Sequence, residues 1–279
     1  MTEFGALMFP TEYAIQPAEL AQAIESRNLD SIFFPEHTHI PADRRTPYPV
    51  GGDLPREYIN TYDPFVALSA CAAVTNRIKL GTGICLIVER DVITLAKETA
   101  TLDRMSGGRL ILGIGAGWLG EEMENHGVDF NKRWQVTREK VLALRQLWTQ
   151  EAAEYHGEFV DFDPVWSNPK PVQPNGPQIW MGATSKWSFD RIAEYCDGWL
   201  PAAHLTEGLL PEIEAAMNNR GRKMSELTLS LFASPPDEEF ITQKKEEGFT
   251  HFVFGLPAAG PDEVLPILDQ YAALAEKMR

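Results

Sequence analysis

Ser31-Ile32-Phe33-Phe34-Pro35-Glu36-His37 is the stretch on which the fold turns. Its apolar residues run continuously instead of alternating, which is how a strand buried on both faces of a parallel sheet reads. Seven more short strands follow the same logic: residues 4–9, 78–86, 110–114, 178–181, 198–201, 227–232 and 251–256. Helical segments are read between most of them, at 17–27, 64–75 and 92–105, the last stopped by Gly107-Gly108, and a final helix at 262–278 ends the chain. Strands alternating with helices imply parallel pairing through crossover helices. A count of eight favours a closed (β/α)8 TIM barrel over an open doubly wound sheet, and 279 residues suit one such domain spanning 1–279.

Composition narrows the partners. A net charge of −15 argues against nucleic acid or an anionic membrane surface, because phosphate backbones call for a basic surface. No apolar run approaches the ~18 residues that cross a bilayer. The three cysteines (Cys71, Cys85, Cys196) form no C-x-x-C pair, which suits a reducing compartment and excludes a thiolate zinc site. A cytoplasmic enzyme with a small-molecule substrate is expected, with a homodimer as an open assembly state.

Two interruptions follow the second and fourth barrel strands. Residues 37–62 form a loop rich in Pro, Gly and charge. Residues 129–177 hold an amphipathic helix at 133–150, with Trp134, Val141, Leu144 and Trp148 on one side, and then a Pro-rich aromatic stretch. Insertions of this length usually serve as lids or binding loops.

Active sites of barrels gather at the carboxyl ends of the strands, and four strand ends here carry chemistry. Glu36 and His37 stand just beyond the second strand, where His37 could exchange protons near neutral pH and Glu36 could support it by hydrogen bonding; the alternative is a pair of loop residues near water. His37-x-His39 also resembles half of a metal site, but His126, His156, His204 and His251 do not complete one, so no metal is expected. Gly81-Thr82-Gly83-Ile84 and Gly113-Ile114-Gly115-Ala116-Gly117-Trp118 end their strands in glycines, which permit a bulge, a tight turn or close approach to a ligand. The second run lacks the third glycine and the acidic residue about twenty positions on that a dinucleotide fingerprint needs. Gly182-Ala183-Thr184-Ser185 leads from the fifth strand into a helix, a ready anion site or an ordinary N-cap. A cavity with a titratable group, two glycine-lined walls and a phosphate anchor suits a planar cofactor carrying a phosphate.

These residues resemble the superfamily of luciferase-like monooxygenases and F420-dependent oxidoreductases. The resemblance runs from Phe4 to about Pro201. It is carried by Leu95-Ala96-Lys97-Glu98, Thr101-Leu102-Asp103, Ser106-Gly107-Gly108-Arg109, the Leu112–Trp118 run, Gly182-Ala183-Thr184 and Asp197-Gly198-Trp199. The resemblance implies a barrel that binds coenzyme F420 or FMN at the strand ends. It places Glu36 and His37 near the ring, a non-prolyl cis peptide at Gly83-Ile84 behind it, Gly115, Ala116, Gly117 and Trp118 along it, and the phosphate on Gly182, Ala183 and Thr184. Trp118 stands where the sugar-phosphate dehydrogenases of the F420 branch carry a glutamate, so a sugar-phosphate substrate is not implied. The expected activity is F420-dependent hydride transfer to or from a small organic substrate. An FMN-dependent monooxygenase is the alternative, ahead of a metal-dependent hydrolase or a non-catalytic flavin binder.

Overall fold

The computed structural model describes residues 2–279. Its strands are β1 (Glu3–Leu7), β2 (Ser31–Phe34), β3 (Lys79–Thr82), β4 (Cys85–Leu86), β5 (Leu110–Gly115), β6 (Ala153–His156), β7 (Asp161–Val165), β8 (Gln178–Met181), β9 (Gly198–Trp199), β10 (Thr228–Ser234) and β11 (His251–Gly255). The helices are α1 (Pro17–Ser26), α2 (Arg56–Asn60), α3 (Pro64–Val74), α4 (Val92–Met105), α5 (Gly120–Asn125), α6 (Arg133–Thr149), α7 (Lys186–Tyr195), α8 (Leu210–Asn219), α9 (Glu238–Glu246) and α10 (Pro261–Met278).

The sheet closes on itself. Going round, β1 pairs with β2, β2 with β3, β3 with β5, then β8, β9, β10, β11 and back to β1, every pair parallel. β4 also pairs with β5, so β3 and β4 are one barrel strand interrupted at Gly83-Ile84, whose peptide is cis. With that strand counted once, the barrel has the eight strands read from the sequence. Among the described residues no helix is long and apolar enough to cross a membrane.

The continuous apolar run of β2 now has its reason. Ile32 and Phe34 pack outward among the helices, whereas Phe33 points inward with Leu7, Ile111, Trp180, Leu200 and Val253. Phe33 fits because Gly81 beside it has no side chain; a Cβ there would lie 2.1 Å from the Phe33 ring. Ser31, of the same parity, also faces inward, and with Ser230 it hydrogen-bonds the two ring nitrogens of His251 at 2.8 Å each. His251 is fully buried at the opening end of its strand, and burial pushes its pKa down to about 3. It is a neutral core group of the end opposite the strand tips.

The insertions are more ordered than their composition suggests. Residues 37–62 include the short helix α2, and the aromatic stretch after α6 contains an antiparallel hairpin, β6–β7, where no strand was read. Its alternation is hidden because the two strands are mostly exposed and rich in charge. Glu139 of α6 holds the hairpin by accepting the backbone N–H groups of Glu158, Phe159 and Val160 at 2.7–3.0 Å. Asp103 secures the return to β8: its carboxylate accepts the N–H groups of Val172 and Gln173 at 2.7 and 3.1 Å and the Gln173 side-chain amide at 2.7 Å. Arg109 donates to the carbonyls of Thr75 and Ile78. Both Asp103 and Arg109 serve the scaffold.

Candidate active site

A pocket of about 330 Å³ opens at the carboxyl ends of the strands, at the small end of the ~300–1,000 Å³ usual for ligand sites. Its lining includes Glu36, His37, Gly83, Ile84, Gly115, Ala116, Gly117, Trp118, Gly182 and Ala183. The four strand ends singled out from the sequence therefore meet in one cavity. Thr184 follows just outside the lining, half-buried, one residue before the N-cap of α7. The sequence reading missed the aromatic walls Phe9, Tyr58, Trp134 and Phe232. Trp134 could have been suspected, since it opens the helix after the fourth strand; Tyr58 comes from α2, which no periodicity announces. Two larger depressions, of about 490 and 680 Å³, flank α8 and α9, and none of the orphaned buried polar atoms of the described residues belongs to either.

The glycines of the fourth strand end serve packing. A Cβ on Gly115 would lie 1.9 Å from Ile84 Cδ1, so the space beside Gly115 is filled by Ile84. Gly117 sits at φ +74°, a left-handed turn that a side chain rarely adopts, and a Cβ there would also meet Met123. The turn carries Trp118 to the pocket, where its ring meets His37 edge-on at 5.8 Å and Tyr48 at 6.0 Å.

Glu36 and His37 part company. The Glu36 carboxylate accepts the Leu86 N–H and the Arg90 Nε–H, each at 2.6 Å, and Arg90 is shared with Asp63 and Glu98. Glu36 thus ties the end of β2 to β4, and its bonds go there and not to His37. His37 Nδ1 instead lies 2.7 Å from Glu122 Oε2, on α5. The ring is wedged between Tyr58 (5.4 Å) and Trp118, and among the described residues its Nε2 has no hydrogen-bond partner.

A third buried carboxyl, Glu89, lies close by. Both its oxygens lack a hydrogen-bond donor, and burial, reinforced by the charges of Glu122 and Glu36, pushes its pKa up to about 9. It is neutral at pH 7. Among the described residues no group of three or more His, Cys, Asp or Glu could hold a metal ion.

Cationic groups beside the pocket have the opposite character. Arg45 is taken by Glu121 and Glu124. Arg44 has a buried unpartnered NH1 and lies over the Trp118 ring at 5.9 Å. Arg191 of α7 covers Trp134 at 4.7 Å, and Arg133 adjoins Trp134 in sequence. Arg133 Nε and Arg191 NH1 are buried without partners, and no carboxylate bridges either residue among the described ones. Burial, and then the like charge of Arg191, lowers the pKa of Arg133. Arg133 NH1 donates to the Phe130 carbonyl at 2.7 Å, so each guanidinium keeps one buried nitrogen without a partner, and two such neighbouring cations favour an anion. Trp134, which Arg191 covers, lines the pocket together with Gly182 and Ala183, so a phosphate-bearing planar ligand fits the residues present. Spacing alone could not find the pair, because Arg133 and Arg191 are joined only by the packing of α6 on α7.

A closed parallel barrel with an apolar, ring-sized pocket at its strand ends and an anion-seeking flank belongs to the class of cofactor-binding barrel oxidoreductases. The luciferase-like monooxygenase profile matches residues 10–236, and the chain belongs to that family. An uncharacterized protein of Mycobacterium tuberculosis is 40% identical over 279 residues, covering 97% of each chain. An FMNH(2)-dependent dimethylsulfone monooxygenase of Pseudomonas putida is 28% identical over 152 residues, covering 52% of this chain and 42% of that protein. The structure also resembles the coenzyme F420 dependent tetrahydromethanopterin reductase of Methanopyrus kandleri, with TM-score 0.78 and 19% identity over 100% of this chain and 99% of that one. The last likeness concerns the fold.

Proposed function

We propose that the protein is an F420-dependent oxidoreductase that moves a hydride between the deazaflavin and a small organic substrate. The observation that carries this reading is His37: a buried imidazole held by a carboxylate at Nδ1, lining an apolar pocket at the strand ends. The whole-length likeness to an F420-dependent reductase supports the choice of cofactor. When bound, the deazaflavin supplies the hydride chemistry, and the protein supplies orientation and electrostatics. Ile84, Ala116 and Gly117 present an apolar wall, with Gly83 and Gly115 giving that wall its shape. Gly182, Ala183 and Thr184, with Arg133 and Arg191, would hold the phosphate. Trp118, Tyr58 and Phe232 exclude water, and His37 gives or takes the proton that accompanies hydride transfer.

The second reading keeps the pocket and changes the cofactor to FMN, as in a monooxygenase; the likeness to the dimethylsulfone monooxygenase favours it. Parallel fluorescence titrations with F420 and FMN separate the two. Micromolar binding of FMN with no response to F420 would overturn the primary reading. Replacing His37 by Ala is expected to lower turnover roughly 100-fold or more while changing cofactor affinity little; unchanged turnover removes it from the reaction.

A further inference from the structure

We propose that Glu122 is the positioning carboxylate of this pocket: it holds His37 in its Nδ1–H tautomer, so that Nε2 is the atom exchanging protons with a substrate oxygen. The proposal rests on the assignment of proton handling to His37 made above. The geometry reaches it from three sides.

Glu122 Oε2 lies 2.7 Å from His37 Nδ1, and both side chains are nearly excluded from water, at 6% and 1% exposure for His37 and Glu122. The other oxygen, Oε1, is surrounded by donors: the Thr38 N–H at 2.8 Å, the His39 N–H at 3.3 Å and the Thr38 hydroxyl at 3.3 Å. Two of these are amide N–H groups that cannot reverse their role. They oblige Oε1 to accept and leave Oε2 alone to face the imidazole. An ionised carboxylate only accepts, so its partner nitrogen carries the hydrogen.

The neighbouring groups decide where negative charge is tolerated. Glu36 faces the pair from the end of β2, Glu89 from the turn after β4, Tyr58 from α2, and His39 and His126 from the far side of Thr38, whose hydroxyl reaches His126 Nε2 at 2.7 Å and His39 Nδ1 at 2.9 Å. Lys140 of α6 is turned to the carbonyls of Val88 and Arg90, and Arg90 neutralises Glu36. Three carboxyls share a nearly dry volume, and burial together with the charges of Glu122 and Glu36 raises the pKa of Glu89. Glu122 accepts at Oε1 from the N–H groups of Thr38 and His39 and faces His37 with Oε2.

The proton balance is then simple. Nε2 has a free lone pair in the neutral ring. It takes a proton from a substrate hydroxyl and becomes imidazolium, or in the reverse direction the imidazolium gives that proton to a substrate oxygen. The hydrogen on Nδ1 stays on the ring throughout, donated to Glu122, as in other carboxylate–imidazole pairs.

The test begins on the native protein without cofactor. With ¹⁵N-labelled histidine, long-range ¹H–¹⁵N spectra distinguish the two neutral tautomers, and the His37 signals are those lost in His37→Asn. The Nδ1–H tautomer is expected. Glu122→Gln should invert it, because Thr38 and His39 retain the amide oxygen and the amide nitrogen must then donate to Nδ1. Glu122→Asp should keep the native tautomer. In turnover, Glu122→Gln should lower kcat by roughly 100-fold and shift a limb of the pH profile by about one unit or more, with KM and cofactor affinity little changed. An Nε2–H ring in the native protein, or a tautomer unmoved in Glu122→Gln, overturns the proposal. Should Glu122→Gln fail to fold, the native and Glu122→Asp spectra decide. Should neither F420 nor FMN support turnover, the functional reading fails while the spectra still judge Glu122.

Discussion

The side chain of Ile84 occupies the space that a side chain on Gly115 would need, Cδ1 lying 1.9 Å from the position of that missing Cβ. One wall of the pocket is therefore a fit between two strand ends. Gly115→Ala overpacks it, and a loss of about 1–3 kcal/mol is expected from chemical denaturation. Ile84→Ala should relieve much of that loss in the double variant, and strict additivity would show that the two residues do not share the space.

The unpartnered buried nitrogens of Arg133 and Arg191 predict an unusual pairing of effects. Arg191→Ala removes a like charge beside Arg133, so stability in phosphate-free buffer should hold or rise slightly. Cofactor affinity should fall about tenfold or more, as expected when charge-assisted hydrogen bonds of roughly 1.5–3 kcal/mol are lost. Inorganic phosphate should raise the Tm of the native protein by mass action and that of Arg191→Ala less. Equal shifts in both would argue against an anion site here.

Glu89 gives a pH signature. Its folded pKa of about 9 lies above the 4.5 of a free glutamate, so the folded protein keeps a proton that the unfolded chain releases. The associated stability is fully present below pH 4.5 and is lost as pH rises towards 9, at about 1.4 kcal/mol per pH unit for one proton. Glu89→Gln removes the titration. The variant should show a flatter dependence of unfolding free energy on pH between 5 and 9 than the native protein, and parallel curves would contradict a protonated Glu89.

Asp103 holds two backbone N–H groups and a side-chain amide of the segment leading to β8. Asp103→Ala leaves buried donors unsatisfied, with a cost of about 1–3 kcal/mol in unfolding free energy. Hydrogen exchange at Val172 and Gln173 should quicken in the same variant. Unchanged protection there would mean the segment is held by packing alone.

The amino-acid sequence by itself determined the barrel and the end at which its pocket lies. Ile32, Phe33 and Phe34 could be read as a strand buried on both faces because that burial leaves a local mark, an unbroken apolar run. The polar and glycine-rich residues that follow the strands locate the pocket for the same reason: local geometry demands them. The hairpin β6–β7 left no such mark, since exposed strands carry polar residues on both sides. What only the tertiary structure decided is how side chains pair across the pocket. Glu36, adjacent to His37 in sequence, turns to Leu86 and Arg90, while Glu122, 85 residues away, takes the imidazole. Arg133 and Arg191 likewise meet only where α6 packs on α7. A carboxylate's partner is set by distance and burial in the closed barrel, and neither quantity exists until the strands have come together.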